Sequence, residues 1–162
     1  MLAKLPAVDW GAVARAIHVV AVVIWIGGVS LVTTVLLPAM KEKPAAEWMR
    51  EFDAIERRFA PQARIAVLVV LLSGLYMLYH YDLWSRFAYA EYWWMDLMVG
   101  VWLVFAALLF VIEPLSLERF VHGGTATTPE VALARRLRLH RVVLALSLLA
   151  VFAAVGGSSG LF

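Results

Sequence analysis

The chain contains no cysteine among its 162 residues, and charged residues make up only 16% of them. Without cysteine, the sequence can form no disulfide, no thiolate metal site and no iron–sulfur cluster. It also lacks a nucleic-acid-binding motif, a phosphate-binding glycine loop and a G-x-S-x-G motif. Hydrophobic residues make up 64% of the chain, whereas a soluble domain is typically only about half apolar. The composition therefore predicts an integral membrane protein, whose main partner is the lipid bilayer and not nucleic acid.

Four long apolar stretches predict membrane-spanning helices over residues 10–37, 63–81, 92–112 and 139–155. Each is at or near the length of about 20 residues that a helix needs to cross the hydrocarbon core. The short connection between the second and third spans predicts that these two are antiparallel neighbours. We expect an all-α, up-down four-helix membrane bundle, with residues 1–162 forming a single transmembrane domain.

The segment between the first two spans has an amphipathic pattern. Trp48, Phe52, Ile55 and Phe59 recur at helical spacing, and charged residues occupy the opposite face. This pattern is typical of a short helix that lies on the membrane surface. We expect such an interfacial helix in the first cytoplasmic loop, ended by Pro61.

Lysine and arginine are distributed unevenly between the two sides of the predicted bundle. Lys4, Arg15 and Arg86 fall on one side, and the others fall on the opposite side, around the 38–62 and 113–138 segments. Because basic loops stay in the cytoplasm, the rich side should be cytoplasmic. The sequence thus predicts a multi-pass protein of the bacterial inner (plasma) membrane, with both termini outside, in the periplasm of a Gram-negative cell.

The first span contains one strongly polar side chain, His18, in the run from Ala16 to Leu37. An ionisable residue inside a membrane helix indicates a functional site. Helical spacing puts Arg15, His18 and Trp25 on one face. The small residues Gly27 and Gly28 allow a neighbouring helix to come close.

Alternating helix direction brings further polar residues to the outer layer of the bundle, because His80 ends the second span and Asp96 begins the third. Two imidazoles on facing helices are typical axial ligands of b-type haem. We therefore expect haem b held by His18 and His80. Arg15 would neutralise a propionate, and Trp25 and Gly28 would line the pocket. The function would be electron transfer to an unknown redox partner, or a small membrane oxidoreductase.

Copper is the alternative cofactor. Met77 with His80, and Met95 with Met98, are pairs three residues apart, and thioethers with imidazoles favour reduced copper. Asp96 is a further candidate ligand. This alternative predicts a copper-binding or copper-uptake protein without a Soret band.

A third hypothesis is a structural module without cofactor, in which His18 and Asp96 pair with each other. Separately, His140 and Glu113 lie together at the predicted cytoplasmic end, among arginines. They would form a second haem or proton site, or only an arginine-rich helix start with its carboxylate partner. A homodimer through Gly27, Gly28 and Gly100 is a further expectation.

Several motifs resemble a known superfamily. His18, then Trp25-Ile26-Gly27-Gly28 in a first span, resembles the copper-resistance D (CopD)-like membrane proteins and the small four-span protoporphyrinogen oxidase of the HemJ type. Ser73-Gly74-Leu75-Tyr76, Tyr92-Trp93-Trp94-Met95 and Leu139-His140-Arg141 are similar to pieces of bacterial relatives. In the oxidase a first-span histidine is implicated in haem binding. The resemblance therefore implies a membrane protein that handles haem or a metal, with His18 as the matching residue and His140 as a further one.

The chain departs from these relatives at two positions of the third span. The resemblance implies histidine where this chain has Asp96, and the oxidase-like proteins carry a lysine near the position of Met98. The likeness to the oxidase is therefore carried by His18, Trp25, Gly27 and Gly28.

Overall fold

The computed structural model describes residues 8–40, 43–112 and 128–161, and within these ranges the chain forms helices joined by turns. We number the long helices α1 (Trp10–Met40), α2 (Ala45–His80), α3 (Ala90–Ile112) and α4 (Pro129–Ser158). A 3₁₀ turn, Trp84–Ala88, lies between α2 and α3. Each long helix contains an apolar segment long enough to cross a membrane. The all-α four-helix membrane bundle is therefore confirmed, and the protein is a multi-pass membrane protein.

The contacts between α1 and α2 show that the two helices are antiparallel. Gly11 near the start of α1 lies against Tyr81 just after α2, and His18 lies against Gly74. Further along α1, Gly28 lies against Phe59 in the first half of α2. The close approach at three levels makes this the most extensive helix pair of the bundle.

The start and the end of α1 are explained by side chains that bind backbone groups. Asp9 Oδ1 accepts hydrogen bonds from the Gly11 and Ala12 amides at 2.9 and 3.1 Å, which caps the helix. Near the other end, Val32–Leu36 forms a π-helical turn. Because Pro38 has no N–H, it removes one bond of the regular ladder, and a widened turn accommodates the helix to that loss.

The second helix differs from the prediction of a separate interfacial helix. The structure runs without interruption from Ala45 to His80 and includes Pro61 inside the helix. Trp48 and Phe52 are buried against Leu133 and Leu137 of α4, so their apolar face covers protein and not lipid. The prediction of a short surface helix ended by Pro61 is therefore wrong. Packing on α4 holds the segment in line with the span, and the proline removes only one hydrogen bond.

The fourth helix begins at Pro129, well before the predicted start of its span at residue 139. Proline suits the first turn of a helix because the missing N–H would be unpaired there. The early part of α4 and the early part of α2 extend together beyond the apolar spans. We call this part of the bundle the basic end, because it carries Arg50, Arg57, Arg58, Arg135, Arg136, Arg138 and Arg141.

One hydrophobic core joins all four helices. It contains Trp25 and Val29 of α1, Val67 of α2, Phe105 of α3 and Val143 of α4. The Trp25 and Phe105 rings meet edge to face with 4.5 Å between centroids, a favourable aromatic geometry. Without a hydrophobic driving force between helices in lipid, such packing contributes most of the association energy.

Two side chains reach across to backbone carbonyls of neighbouring helices. Trp102 Nε1 donates to the Val67 carbonyl at 3.0 Å, and Arg64 Nε donates to the Leu109 carbonyl at 3.2 Å. Leu109 lies in a second π-helical turn, Leu108–Ile112. The guanidinium therefore satisfies a carbonyl in a turn whose regular pairing is altered.

We predict that Gly28→Leu destabilises the bundle and that Gly27→Leu does not. A Cβ at Gly28 would overlap the Phe59 ring, whereas Gly27 has open space. Overpacking of this kind costs about 1–3 kcal/mol. Thermal unfolding of both variants in the same detergent measures the difference. Equal unfolding temperatures for the two variants would contradict the observed α1–α2 packing.

Candidate functional site

His18 is tied to the second helix by a hydrogen bond. Its Nδ1 lies 3.0 Å from Ser73 Oγ, and the Ser73 hydroxyl lies 2.5 Å from the carbonyl of Val69 in its own helix. A hydroxyl has one proton, and the carbonyl can only accept. The Ser73 proton therefore goes to Val69, and His18 Nδ1–H donates to Ser73 Oγ.

This bond fixes the tautomer of the imidazole. With the proton on Nδ1, the lone pair of the neutral ring is on Nε2. Nε2 forms no hydrogen bond with the described residues. It is also not a fully buried atom, because among the described residues the buried side-chain nitrogen without a partner is Trp25 Nε1.

A histidine held in this way could ligate a metal through its other nitrogen. Metal-ligating imidazoles bind through one nitrogen and donate the other N–H to a fixed acceptor, which sets the ring orientation. Ser73 is that acceptor here, and the sequence indicated it only as part of the motif Ser73-Gly74-Leu75-Tyr76. The sequence could have identified Ser73 through the antiparallel register of the first two spans. A polar side chain in an apolar span is expected to meet another polar group at the same depth.

The structure does not bring His80 to His18. His80 is exposed, stacks on Tyr76 with 5.5 Å between ring centroids, and has Tyr81 against its edge. It lies at the level of Gly11, whereas His18 lies at the level of Ser73 and Gly74. Along α1 these levels are about two turns, or about 10 Å, apart. Metal–imidazole bonds are about 2 Å long, so two axial nitrogens of one iron are only about 4 Å apart.

Arg15 points away from His18 toward the outer end of the bundle. Its guanidinium lies 5.5 Å from the centre of the Tyr81 ring. This cation–π contact stabilises an arginine near the interface. Asp96 is exposed. The partner of His18 is Ser73, and the partner of Arg15 is Tyr81. The predicted pair between His18 and Asp96 is therefore absent from the described structure.

Trp25 and Gly28 belong to the packed interior. Trp25 is 3% exposed and packs on Phe105, and its Nε1 is buried without a hydrogen-bond partner among the described residues. The space beside Gly28 is filled by Phe59. In the described structure the neighbours of both residues are protein side chains. Gly27 and Gly100, in contrast, have open space beside them.

Two of the candidate copper ligands lie in one apolar cluster. Met95 is 4% exposed and packs with Trp94 and Ala153, and Met98 packs against the same cluster. Met77 is half-buried on α2, and His80 is exposed beyond it. Within residues 8–40, 43–112 and 128–161, no three His, Asp or Glu side chains come close enough to hold one metal ion.

His140 lies at the basic end. Its Nδ1 is 3.0 Å from the Arg136 carbonyl, so Nδ1–H is the donor, and the Phe52 ring meets it edge-on at 6.4 Å. Arg136 in turn lies over Phe52 and 3.7 Å from Glu56. Glu113, its predicted companion, lies outside the described residues. His140 therefore lies about three turns inside α4, packed against α2, and not at the helix start that the sequence indicated.

The described histidines thus occupy three separate places: His18 between α1 and α2, His80 beyond it, and His140 at the basic end. Of these, His18 has a ring that is oriented by a neighbouring helix, and its Nε2 has no hydrogen bond with the described residues. Compared with known proteins, this chain matches no family model, no curated protein and no solved structure.

We predict that the His18 imidazole carries its proton on Nδ1. In protein labelled with ¹⁵N-histidine and reconstituted in lipid, the His18 Nε2 signal should be that of an unprotonated nitrogen, assigned by its loss in His18→Ala. Ser73→Ala should release the ring into a mixture of tautomers and cost about 1 kcal/mol of stability.

Ser147→Ala is the matched control for this experiment, because Ser147 bonds only to Val143 of its own helix. It should leave the His18 signals unchanged. A protonated Nε2 in the unmodified protein would contradict the assigned donor.

Proposed function

We propose that this chain is a b-type haem-binding membrane protein in which His18 Nε2 is the ligand supplied to the iron. The observation that carries the proposal is the hydrogen bond from His18 Nδ1 to Ser73, which orients the ring and leaves Nε2 with a lone pair. A neutral imidazole held in this way is a typical axial ligand. The resemblance of the first span to haem-handling membrane proteins supports the same assignment.

His18 fits this role, and His80 does not fit as its partner. The α1–α2 packing holds the two side chains about 10 Å apart along the helices. The contact of Tyr81 and His80 with Gly11 fixes one level, and the His18–Ser73 hydrogen bond fixes the other. We therefore propose that His18 would hold the haem without His80 as a second ligand. Iron held by one histidine would be accessible to a reactant, which favours a small membrane oxidoreductase over simple electron transfer.

Haem would supply a one-electron couple between ferrous and ferric iron. The residues of this chain supply the surroundings. Ser73 holds the ring of His18, and Met95, Trp94 and Ala153 exclude water from the outer layer of the bundle. Arg15, exposed near Tyr81, lies one turn outside His18 and offers a cation to an anionic group at the interface.

The cellular setting is part of the proposal. The excess of lysine and arginine at the basic end supports a cytoplasmic position for it. Both termini and the 82–91 connection would then face the outside of a bacterial inner membrane.

The proposal predicts a coloured protein whose Soret band depends on His18. His18→Ala should lose the band, whereas His80→Ala should keep it, as should the control His140→Ala at the other end. The reduced protein should bind carbon monoxide with a shift of the Soret band, because iron held by one histidine would be accessible to it. Absorption spectra of oxidised, dithionite-reduced and CO-treated protein, purified in detergent from haem-replete cells, measure all three.

A colourless protein from those cells would contradict haem binding, and copper in metal analysis would then favour the alternative cofactor. Equal loss of the band in His18→Ala and His80→Ala would contradict the single-ligand proposal. Unfolding temperatures of the variants, measured beside the spectra, separate loss of haem from loss of fold.

The orientation predicts which side a thiol reagent reaches. Because the chain has no cysteine, single-cysteine variants report one position each. Ser85→Cys, in the exposed turn between α2 and α3, should react in intact cells with a membrane-impermeant maleimide after the outer membrane is permeabilised. Thr128→Cys, exposed before α4, should react only after lysis. The reverse pattern would contradict the proposed orientation.

A further inference from the structure

A cavity of about 570 Å³ lies at the basic end of the bundle. Trp48 from the start of α2 and Leu133 and Leu137 from α4 form its apolar wall. Arg138 and Arg141 of α4 line its opening. The cavity therefore combines an apolar wall with two guanidinium groups.

A second cavity, of about 300 Å³, continues from the same arginine toward the middle of the bundle. It lies between the π-helical turn of α1, at Thr34 and Pro38, and the face of α4 that carries Arg141, Leu144 and Leu148. These three residues of α4 lie at spacings of three and four, so they line one continuous stripe. The stripe runs from a cation at the basic end into the apolar span.

The two arginines that line the larger cavity have no ionic partner in the part of the chain that the structure describes. Among residues 8–40, 43–112 and 128–161, neither Arg138 nor Arg141 forms an ion pair or a side-chain hydrogen bond. Lys43, which also lines the opening, is held by Glu51 at 2.5 Å and Glu47 at 3.7 Å. Its pKa is raised by the hydrogen bond to Glu51.

Glu130 is the carboxylate that lines the larger cavity. Lys43 is already paired with Glu51 and Glu47, whereas Arg138 and Arg141 form no ion pair with the described residues, so an anionic group could bind at these two guanidinium groups. A free anion would satisfy the arginines but would leave the apolar stripe of Leu144 and Leu148 without a partner. An acyl chain fits that stripe, because in the membrane its surroundings are already hydrocarbon.

We infer that the groove between the π-helical turn of α1 and α4 is a binding site for an anionic phospholipid of the adjacent leaflet. The phosphate lies at Arg138 and Arg141, and one acyl chain follows Leu144 and Leu148. Basic pockets between membrane helices bind lipid headgroups by this combination of charge and hydrocarbon. The inference does not depend on the proposed haem, which belongs to the opposite end of the bundle.

The test uses the full chain, delipidated in a neutral detergent. Phosphatidylglycerol should raise the unfolding temperature and remain bound as one molecule in native mass spectrometry, whereas phosphatidylcholine should do neither. Replacing both guanidinium groups, Arg138→Gln with Arg141→Gln, should weaken binding about tenfold or more. Arg135→Gln is the matched control, because Arg135 is exposed on the same helix and lines neither cavity.

A second variant tests the hydrocarbon half of the site. Leu148→Trp should fill the stripe and exclude the acyl chain while leaving both arginines in place. The soluble headgroup glycerophosphoglycerol, and inorganic phosphate, should not raise the unfolding temperature at matched concentration. Stabilisation by either soluble anion or by phosphatidylcholine would overturn the proposal. A loss of phosphatidylglycerol binding in Arg135→Gln equal to that in the double variant would overturn it too. Phosphatidylglycerol binding that survives in Leu148→Trp would overturn it as well.

Discussion

The antiparallel packing of α1 on α2 determines the level at which each polar side chain of the bundle lies. Gly11, Gly28 and Gly74 let the two helices approach until Tyr81, Phe59 and His18 fill the space between them. Neither helix can slide without driving a ring into a backbone. The His18–Ser73 hydrogen bond depends on this register, and so does the distance that separates His18 from His80.

The bilayer imposes the second constraint, because it offers no water to an unpaired polar group. The hydroxyl groups of three residues donate to carbonyls of their own helix: Thr33, Thr34 and Ser147. Their hydrogen-bond donors are therefore satisfied without a partner helix. His18 cannot do this with both nitrogens. One nitrogen is satisfied by Ser73, and Nε2 has no hydrogen bond with the described residues.

The two π-helical turns show how the same constraint operates at the basic end. Pro38 disturbs the ladder of α1, and the turn at Leu108–Ile112 leaves a carbonyl that Arg64 reaches. Widened turns move the carbonyls that follow them and open space beside the helix. The groove next to Thr34 and Pro38 is such a space, and Arg141 lies at its mouth.

The spans and the all-α bundle could be predicted from the sequence, because hydropathy over about 20 residues is a local property. His18 could be selected as a candidate for the same reason, as one polar side chain within an apolar span. The level of His80 could not be predicted. Span ends predicted from sequence are uncertain by a turn, and a turn decides whether two imidazoles meet. The prediction that a helix ends at Pro61 failed for a related reason. The packing of Trp48 and Phe52 on α4 outweighs the tendency of proline to end a helix.

The central claim is that His18 binds iron without His80. The most direct measurement is the electron paramagnetic resonance spectrum of the oxidised, purified protein, recorded beside that of His80→Ala. The account predicts a high-spin ferric signal that is the same in both and becomes low-spin when imidazole is added. A low-spin ferric signal in the unmodified protein that turns high-spin in His80→Ala would contradict it.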